Sequence, residues 1–188
     1  MKARESGMPE EKTWNRFFNV DNILTELEIN GEIHCLVELG FGYGTFTISA
    51  SKTINGVVHA FDLETSLYND LKSKLSADKI NNVSLHNRDF ISNGSGLKND
   101  YADYVMLFNI LHAEESVEIL NESYRILKPN GKLGIIHWNY DSNTPRGPSM
   151  SIRPKPEYLR DLLIQEGFEI VKFNINLPPY HYGILARK

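Results

Sequence analysis

Cysteine is nearly absent: Cys35 stands alone among 188 residues. One thiol closes no internal disulfide and supplies no cysteine cluster for zinc or iron–sulfur. An excess of basic charge is missing too, the formal net charge being −4. That balance leaves no footprint for duplex nucleic acid or an anionic membrane surface. Long apolar runs are lacking. The longest uncharged stretch, residues 173–186, has 14 residues and is broken by Pro178 and Pro179, too short to span a bilayer. Residues 1–6 lack the apolar segment of a secretory signal, so a cytoplasmic protein is expected. Internal repeats and low-complexity tracts are absent. What is present is a 41% hydrophobic chain with charges of both signs. Its length suits one domain with a full core, which excludes a disordered chain.

Residues 1–12 are polar and carry Gly7 and Pro9, the pattern of a mobile arm. Trp14, Phe17 and Phe18 follow as an abrupt aromatic cluster. Asp21 reads as the N-cap of a short helix bearing Ile23, Leu24 and Leu27, stopped at Asn30-Gly31. Residues 1–30 are thus expected to be an arm and cap, and residues 31–188 a single α/β domain.

Within that domain, short apolar runs alternate with helical patterns. Strands are predicted at residues 33–39, 57–61, 83–86, 104–108 and 133–138. A helix of small residues spans 44–54, and Leu67, Leu71 and Leu75 mark one face of the next. Val117, Leu120, Tyr124 and Leu127 line a third, ended by Lys128-Pro129-Asn130-Gly131. Residues 141–156 hold four prolines and form a long loop, from which a helix starts at Pro156 and closes at Gly167. Strands at 168–175 and 182–185 complete the chain. This alternation predicts a doubly wound, mostly parallel α/β sheet with helices on both faces. The link between the last two strands is too short for a crossover helix, so they pair antiparallel.

The first strand runs into Glu38-Leu39-Gly40-Phe41-Gly42-Tyr43-Gly44. Open α/β sheets bind ligands where the first strand ends, and glycine admits close backbone approach. The spacing departs from the dinucleotide fingerprint, because Thr45 stands where its third glycine belongs. No lysine follows for a phosphate loop either. Glu38 opposes a pyrophosphate and suits a ligand bearing an ammonium or sulfonium. Asp62 ends the second strand, where a ribose diol donates to a carboxylate. Its competing role is a cap of the following helix. In Asn87-Arg88-Asp89-Phe90, Asp89 is placed to accept from an adenine amine, and Phe90 to stack or donate its N–H.

Glu38-x-Gly40-x-Gly42-x-Gly44, Asp62, Asp89-Phe90 and the turn Leu127-Lys128-Pro129-Asn130-Gly131-Lys132-Leu133 together resemble the class I S-adenosylmethionine (SAM)-dependent methyltransferases. The resemblance to this Rossmann-like superfamily covers residues 33–188. It implies a seven-stranded sheet of order 3-2-1-4-5-7-6 with the last strand antiparallel, SAM as cofactor and S-adenosylhomocysteine as product. It further implies Glu38 toward the methionine ammonium and Gly40 and Gly42 against the methionine. Asp62 would lie on the ribose and Leu63 on the adenine. The segment Asn109-Ile110-Leu111-His112 would line the site, with the Asn109 backbone toward the ammonium. Glu38, Gly40, Gly42, Gly44, Asp62, Leu63, Asp89, Phe90 and Asn109 form the expected donor-binding set.

Methyl transfer from a sulfonium is an in-line displacement in which the protein aligns the partners and excludes water. A base is needed only when the acceptor must lose a proton. His112 and His137, after the fourth strand and at the end of the fifth, are candidate bases, beside the alternative of structural histidines. Trp14, Phe18, Trp138, Tyr140 and His181 are candidate substrate contacts, with Tyr180 a further wall. Trp14, Phe17 and Phe18 double as a candidate lid. Arg146 and Arg153 are candidate contacts for an anionic substrate. Residues 109–112 depart from the Asn-Pro-Pro-Tyr pattern of nucleic-acid amino-methyltransferases, and one cysteine argues against arsenite methylases. A small-molecule acceptor is expected, with no nucleic acid, membrane or metal. The alternatives are a protein acceptor or a module that holds SAM without turnover. Aminopropyl transfer and dinucleotide oxidoreduction are further readings, the second opposed by Thr45.

Overall fold

The computed structural model describes residues 8–188; residues 1–7 of the predicted arm lie outside the described residues. Three short segments come first: α1 (Glu11–Trp14), one 3-10 turn (Asn15–Phe17) and α2 (Val20–Glu26). The alternation then runs β1 (Cys35–Leu39), α3 (Thr45–Thr53), β2 (Val57–Asp62), α4 (Thr65–Ala77), β3 (Val83–Asn87), α5 (Phe90–Asn93) and β4 (Ala102–Phe108). It continues through α6 (Ser116–Ile126), β5 (Leu127–Trp138), α7 (Pro156–Gln165), β6 (Glu169–Leu177) and β7 (His181–Arg187). The sheet order is β3-β2-β1-β4-β5-β7-β6. Pairs among β1 to β5 are parallel, and β7 is antiparallel to both neighbours. This is the expected class I methyltransferase sheet.

Side chains alternate across the central strands and split the core in two. Leu36, Tyr104 and Met106 join Leu24, Phe46 and Leu71 in one layer. Val37, Leu39, Val105 and Leu107 pack with Ile119, Leu120 and Leu159 in the other. The strand order reverses between β1 and β4, and a crevice opens there beyond the carboxyl ends of the strands.

Three local expectations change. The cap of α2 is Asn19, whose side chain accepts the Asn22 N–H, so Asp21 lies inside the helix. The buried face of α6 includes Ile119, Leu120 and Ile126, while Val117 is exposed and Leu127 already pairs with Ala102 in the sheet. The register then resumes at Tyr104 opposite Lys132, so residues 128–131 loop out within β5 rather than precede it. Trp14, Phe17 and Phe18, the candidate lid, are packed on the core. Phe18 forms a bridge with Pro179 and stacks on His181 at 4.5 Å.

Candidate active site

The glycine loop leaves β1 with its backbone tied to β2: the N–H groups of Gly40 and Phe41 both donate to the Phe61 carbonyl. Two further bonds come from Asp62, whose Oδ2 accepts the Gly42 N–H at 2.9 Å and whose Oδ1 accepts the Glu64 N–H at 3.0 Å. Burial raises the Asp62 pKa against the lowering effect of these donors. Asp62 is therefore not the side-chain cap of α4; the capping position is Glu64, which makes no side-chain cap bond. Gly42 has φ +54° and an open approach, a Cβ there meeting nothing nearer than the Met8 methyl at 3.4 Å.

Gly44 behaves differently. It starts α3 at φ +79°, and a Cβ would come within 2.3 Å of the Leu71 side chain. This glycine is a point of helix packing and does not line the cavity, which corrects its place in the donor set.

Glu38 is buried at the end of β1 and accepts a hydrogen bond from the Thr47 hydroxyl on α3. Burial pushes its carboxyl up to about 8, with the Asp62 charge acting in the same direction and Thr47 opposing. Thr47 was not singled out from sequence. Its position two residues into a helix after the glycine loop was the available signal.

A cavity of about 390 Å3 collects these groups. Glu38, Gly40, Gly42, Asp62, Leu63, Asp89, Phe90 and Asn109 line it, with His112 at one end and Trp14 from the N-terminal segment. Ile110, from the segment expected to line the site, is a wall, and Met8, Thr45 and Arg88 are walls that sequence reading missed. Asp89 caps α5 through Oδ1, accepting the N–H groups of Ile91 and Ser92, and its pKa is held down chiefly by the Ser92 N–H. Asn109 adopts a left-handed φ of +57°, and both polar atoms of its side chain are buried without a partner. Orphaned buried amides of this kind mark places where a ligand or water is held.

His112 also borders a second cavity of about 380 Å3, to which Tyr140 and Arg153 contribute. Its Nδ1 is buried and unpartnered, and burial lowers its pKa to about 4. The other proposed contacts sit elsewhere. His137, Trp138 and His181 are buried, and neither they nor Phe18 is a wall of either cavity. The reason is register: the β5–β7 pairing extends to His137 opposite Tyr182 and Trp138 opposite His181. Phe17 then covers Trp138, their ring centroids 5.3 Å apart. Arg146 lines neither cavity. Arg153 is buried and its guanidinium is taken up by the loop, donating to the carbonyls of Asn139, Asp141, Arg146 and Pro148 and to the Thr144 hydroxyl.

The larger cavity fits a SAM-like group. Two glycine backbones lie open at Gly40 and Gly42, carboxyl groups stand at Glu38 before the loop and at Asp62 beside it, and a buried amide at Asn109 has no partner among the described residues. An ammonium and a ribose diol are the chemistry that such groups complement. Among the described residues, no helix is long and apolar enough to cross a membrane.

The sequence profile of the methyltransferase domain family matches residues 36–131, half of the chain. A methyltransferase-like protein of Schizosaccharomyces pombe is 29% identical over 121 residues, covering 64% of this chain and 44% of that one. A probable polyketide synthase of Dictyostelium discoideum is 27% identical over 125 residues, covering 57% of this chain and 5% of that one. The chain thus spans less than half the length of these curated relatives. Among solved structures, a SAM-dependent methyltransferase from Aquifex aeolicus superposes with a TM-score of 0.83 at 20% identity, over 95% of this chain and 93% of that one. The [4+2]-cyclase SpnF superposes at 0.76 with 15% identity, over 100% and 84%. With the sheet order and the glycine loop already in place, the profile match settles the family: the chain belongs to the methyltransferase domain family, whose methyl donor is SAM.

Proposed function

We propose that the protein transfers the sulfonium methyl of SAM to a small-molecule acceptor in the cytoplasm. The observation that carries this reading is one cavity at the strand-order reversal that unites the glycine loop, Glu38, Asp62, Asn109 and His112. Asp62 would hold the ribose through the lone pairs not used by Gly42 and Glu64. Glu38 and the Asn109 side chain would face the methionine end, and Leu63, Asp89 and Phe90 the adenine. Bound there, the donor supplies an electrophilic methyl group that needs no further activation.

The remaining contribution of the chain is alignment and exclusion of water. Met8 and Trp14 lie over the cavity, and the segment that carries them is tied down by three contacts. The Tyr43 hydroxyl donates to the Pro9 carbonyl at 2.9 Å, the Thr45 hydroxyl to Asn15 at 2.7 Å, and Lys74 pairs with Glu11. This supports the described part of the expected arm and cap, residues 8–30, as a cover and residues 31–188 as the catalytic body. His112 is held neutral by burial and is free to accept a hydrogen bond from an acceptor hydroxyl or amine. With its pKa near 4 it orients such a group better than it removes a proton before transfer. A second cavity of small-molecule size beside His112 supports a small acceptor over a protein.

The fold also carries chemistry other than methyl transfer, as the cyclase shows, so fold alone does not decide the reaction. Mass spectrometry of the purified protein, followed by incubation with radiolabelled SAM and a metabolite extract, tests the proposal. Bound SAM or S-adenosylhomocysteine with label moving into a small product is expected. Bound nucleoside without label transfer would leave a SAM-holding module, and bound NAD would overturn both readings.

A further inference from the structure

We propose that the second cavity is the acceptor site and that it selects an anionic small molecule with an apolar body, its charge held by Lys155 and its reacting atom presented at His112. This rests on the donor reading above, because the neighbouring cavity supplies the reaction partner.

The first argument is position. The two cavities share His112, which follows β4 at the carboxyl edge of the sheet. A molecule filling the second cavity therefore ends where the donor cavity begins. A volume of about 380 Å3 admits one small metabolite and no folded peptide segment. Leu111, Met150 and Ile152 give the cavity its apolar side.

The second argument is charge. The titratable groups that line this cavity are His112, Tyr140, Arg153, Lys155 and Tyr158, and no carboxylate joins them among the described residues. The Arg153 guanidinium is satisfied by carbonyl and hydroxyl oxygens alone, so its full charge persists behind the wall. Asp141, the acid that acts on it electrostatically, has its Oδ1 engaged in the turn with Asn143. Lys155 lies over the Tyr140 ring at 4.9 Å, and among the described residues it has no carboxylate partner. Glu157, the nearest acid on α7, does not line the cavity. Both cations therefore border a cavity with no facing carboxylate among the described residues, and an anion is favoured there.

The third argument is the backbone. α7 begins beside Lys155 with no side chain capping its first N–H groups. That end of the helix carries partial positive charge directed at the same space. Arg146 and Arg153 were the candidate anion contacts in the sequence. The structure uses Arg153 to organise the loop and leaves Lys155 as the cation with only an aromatic ring for a partner.

The test begins with calorimetric titration of S-adenosylhomocysteine alone, which judges the donor reading by itself. The protein, with and without that ligand, is then titrated with benzoate, 4-hydroxybenzoate, 3-phenylpropionate and phenyl phosphate, and with the carboxamides matching the three acids. The expected result is that at least one anion binds about ten-fold more tightly than its neutral counterpart, the scale of one hydrogen bond to a charged group. Lys155→Gln should remove most of that preference and leave S-adenosylhomocysteine affinity and melting temperature unchanged, since Lys155 is exposed. Binding of the phosphate but not the carboxylates would fix which anion is read. Equal binding of anions and amides, no binding of any anion, or an anion preference that survives Lys155→Gln would overturn the proposal.

Discussion

Replacing Asp62 by alanine tests the donor site where the structure is most explicit about its wiring. A carboxylate offers roughly four lone-pair positions. Two are used by the Gly42 and Glu64 N–H groups, leaving two for vicinal ribose hydroxyls. A hydrogen bond to a charged group contributes ~1.5–3 kcal/mol. Water entering the space left by the side chain recovers part of two such bonds, so the net loss should fall near ~1.4–4 kcal/mol, a 10- to 1,000-fold weakening. SAM and S-adenosylhomocysteine should weaken together. Turnover at saturating SAM should fall much less, because the ribose contact is alike in ground and transition states. The same substitution strips the acceptor from two backbone donors, a cost of ~1–3 kcal/mol. At ~2–4 °C per kcal/mol for a chain of this size, the ligand-free protein should melt several degrees lower. Asp62→Asn separates the two effects, since its amide oxygen still accepts one backbone N–H and so restores part of the stability. Titration with S-adenosylhomocysteine, beside thermal melts of the free proteins, reads both quantities. A variant that melts lower yet binds within two-fold of the parent would refute the ribose assignment and move it to Glu64, which lines the same cavity.

The glycines of the loop should separate by phenotype: Gly42→Val, strained at φ +54° but meeting no close neighbour, should lose donor binding at a smaller stability cost, while Gly44→Val should lose more stability through the same strain and its clash with Leu71. Circular dichroism with calorimetry distinguishes them, and wild-type affinity in folded Gly42→Val would count against the site. Burial keeps the Glu38 carboxyl protonated until about pH 8, whereas a cationic donor favours its ionised form. SAM affinity should therefore rise with pH toward about 8 and level off above it. The free protein should lose stability over the same rise, because the unfolded chain ionises this group near the ordinary value of 4.5. Glu38→Gln should flatten both profiles, and an unchanged slope would exclude Glu38 as their source. Trypsin cleavage at Lys12 and Arg16 should slow when SAM and an acceptor are bound, if the segment closes over the cavity; equal rates in all states would argue against a lid. Arg4, another cleavage point in the arm, lies outside the described residues.

Legibility in the sequence followed the range over which each residue is determined. The alternation of β1 and β4 was readable because a strand buried on both faces must be apolar throughout. Glu38, Gly42 and Asp62 were legible as neighbours in one cavity because each lies at a strand end or in the loop that follows it. Gly44 shared their spacing but answers to Leu71 on a different helix, which no local pattern reveals. His137 and His181 looked like site residues because each stands at or beside a predicted strand end. The observed β5 ends at Trp138 as predicted, but β7 begins at His181, and its pairing with β5 leaves both rings buried. Lys155 was not singled out from the sequence, since only the folded loop brings it to Tyr140 and within one cavity of His112.

The inner position of β7 has a consequence for how the chain reaches this state. β7 follows every other strand in sequence, yet it lies between β5 and β6. A nascent chain can pair β1 through β5 while β7 is still being made. Until then β5 presents an unpaired edge from Leu133 to Trp138, rich in apolar residues, of the kind that recruits foreign strands. β6 waits as well, because its pairing is entirely with β7. Closure of the sheet therefore waits on β7, and the edge of β5 stays exposed to aggregation for as long as that strand takes to be translated and threaded.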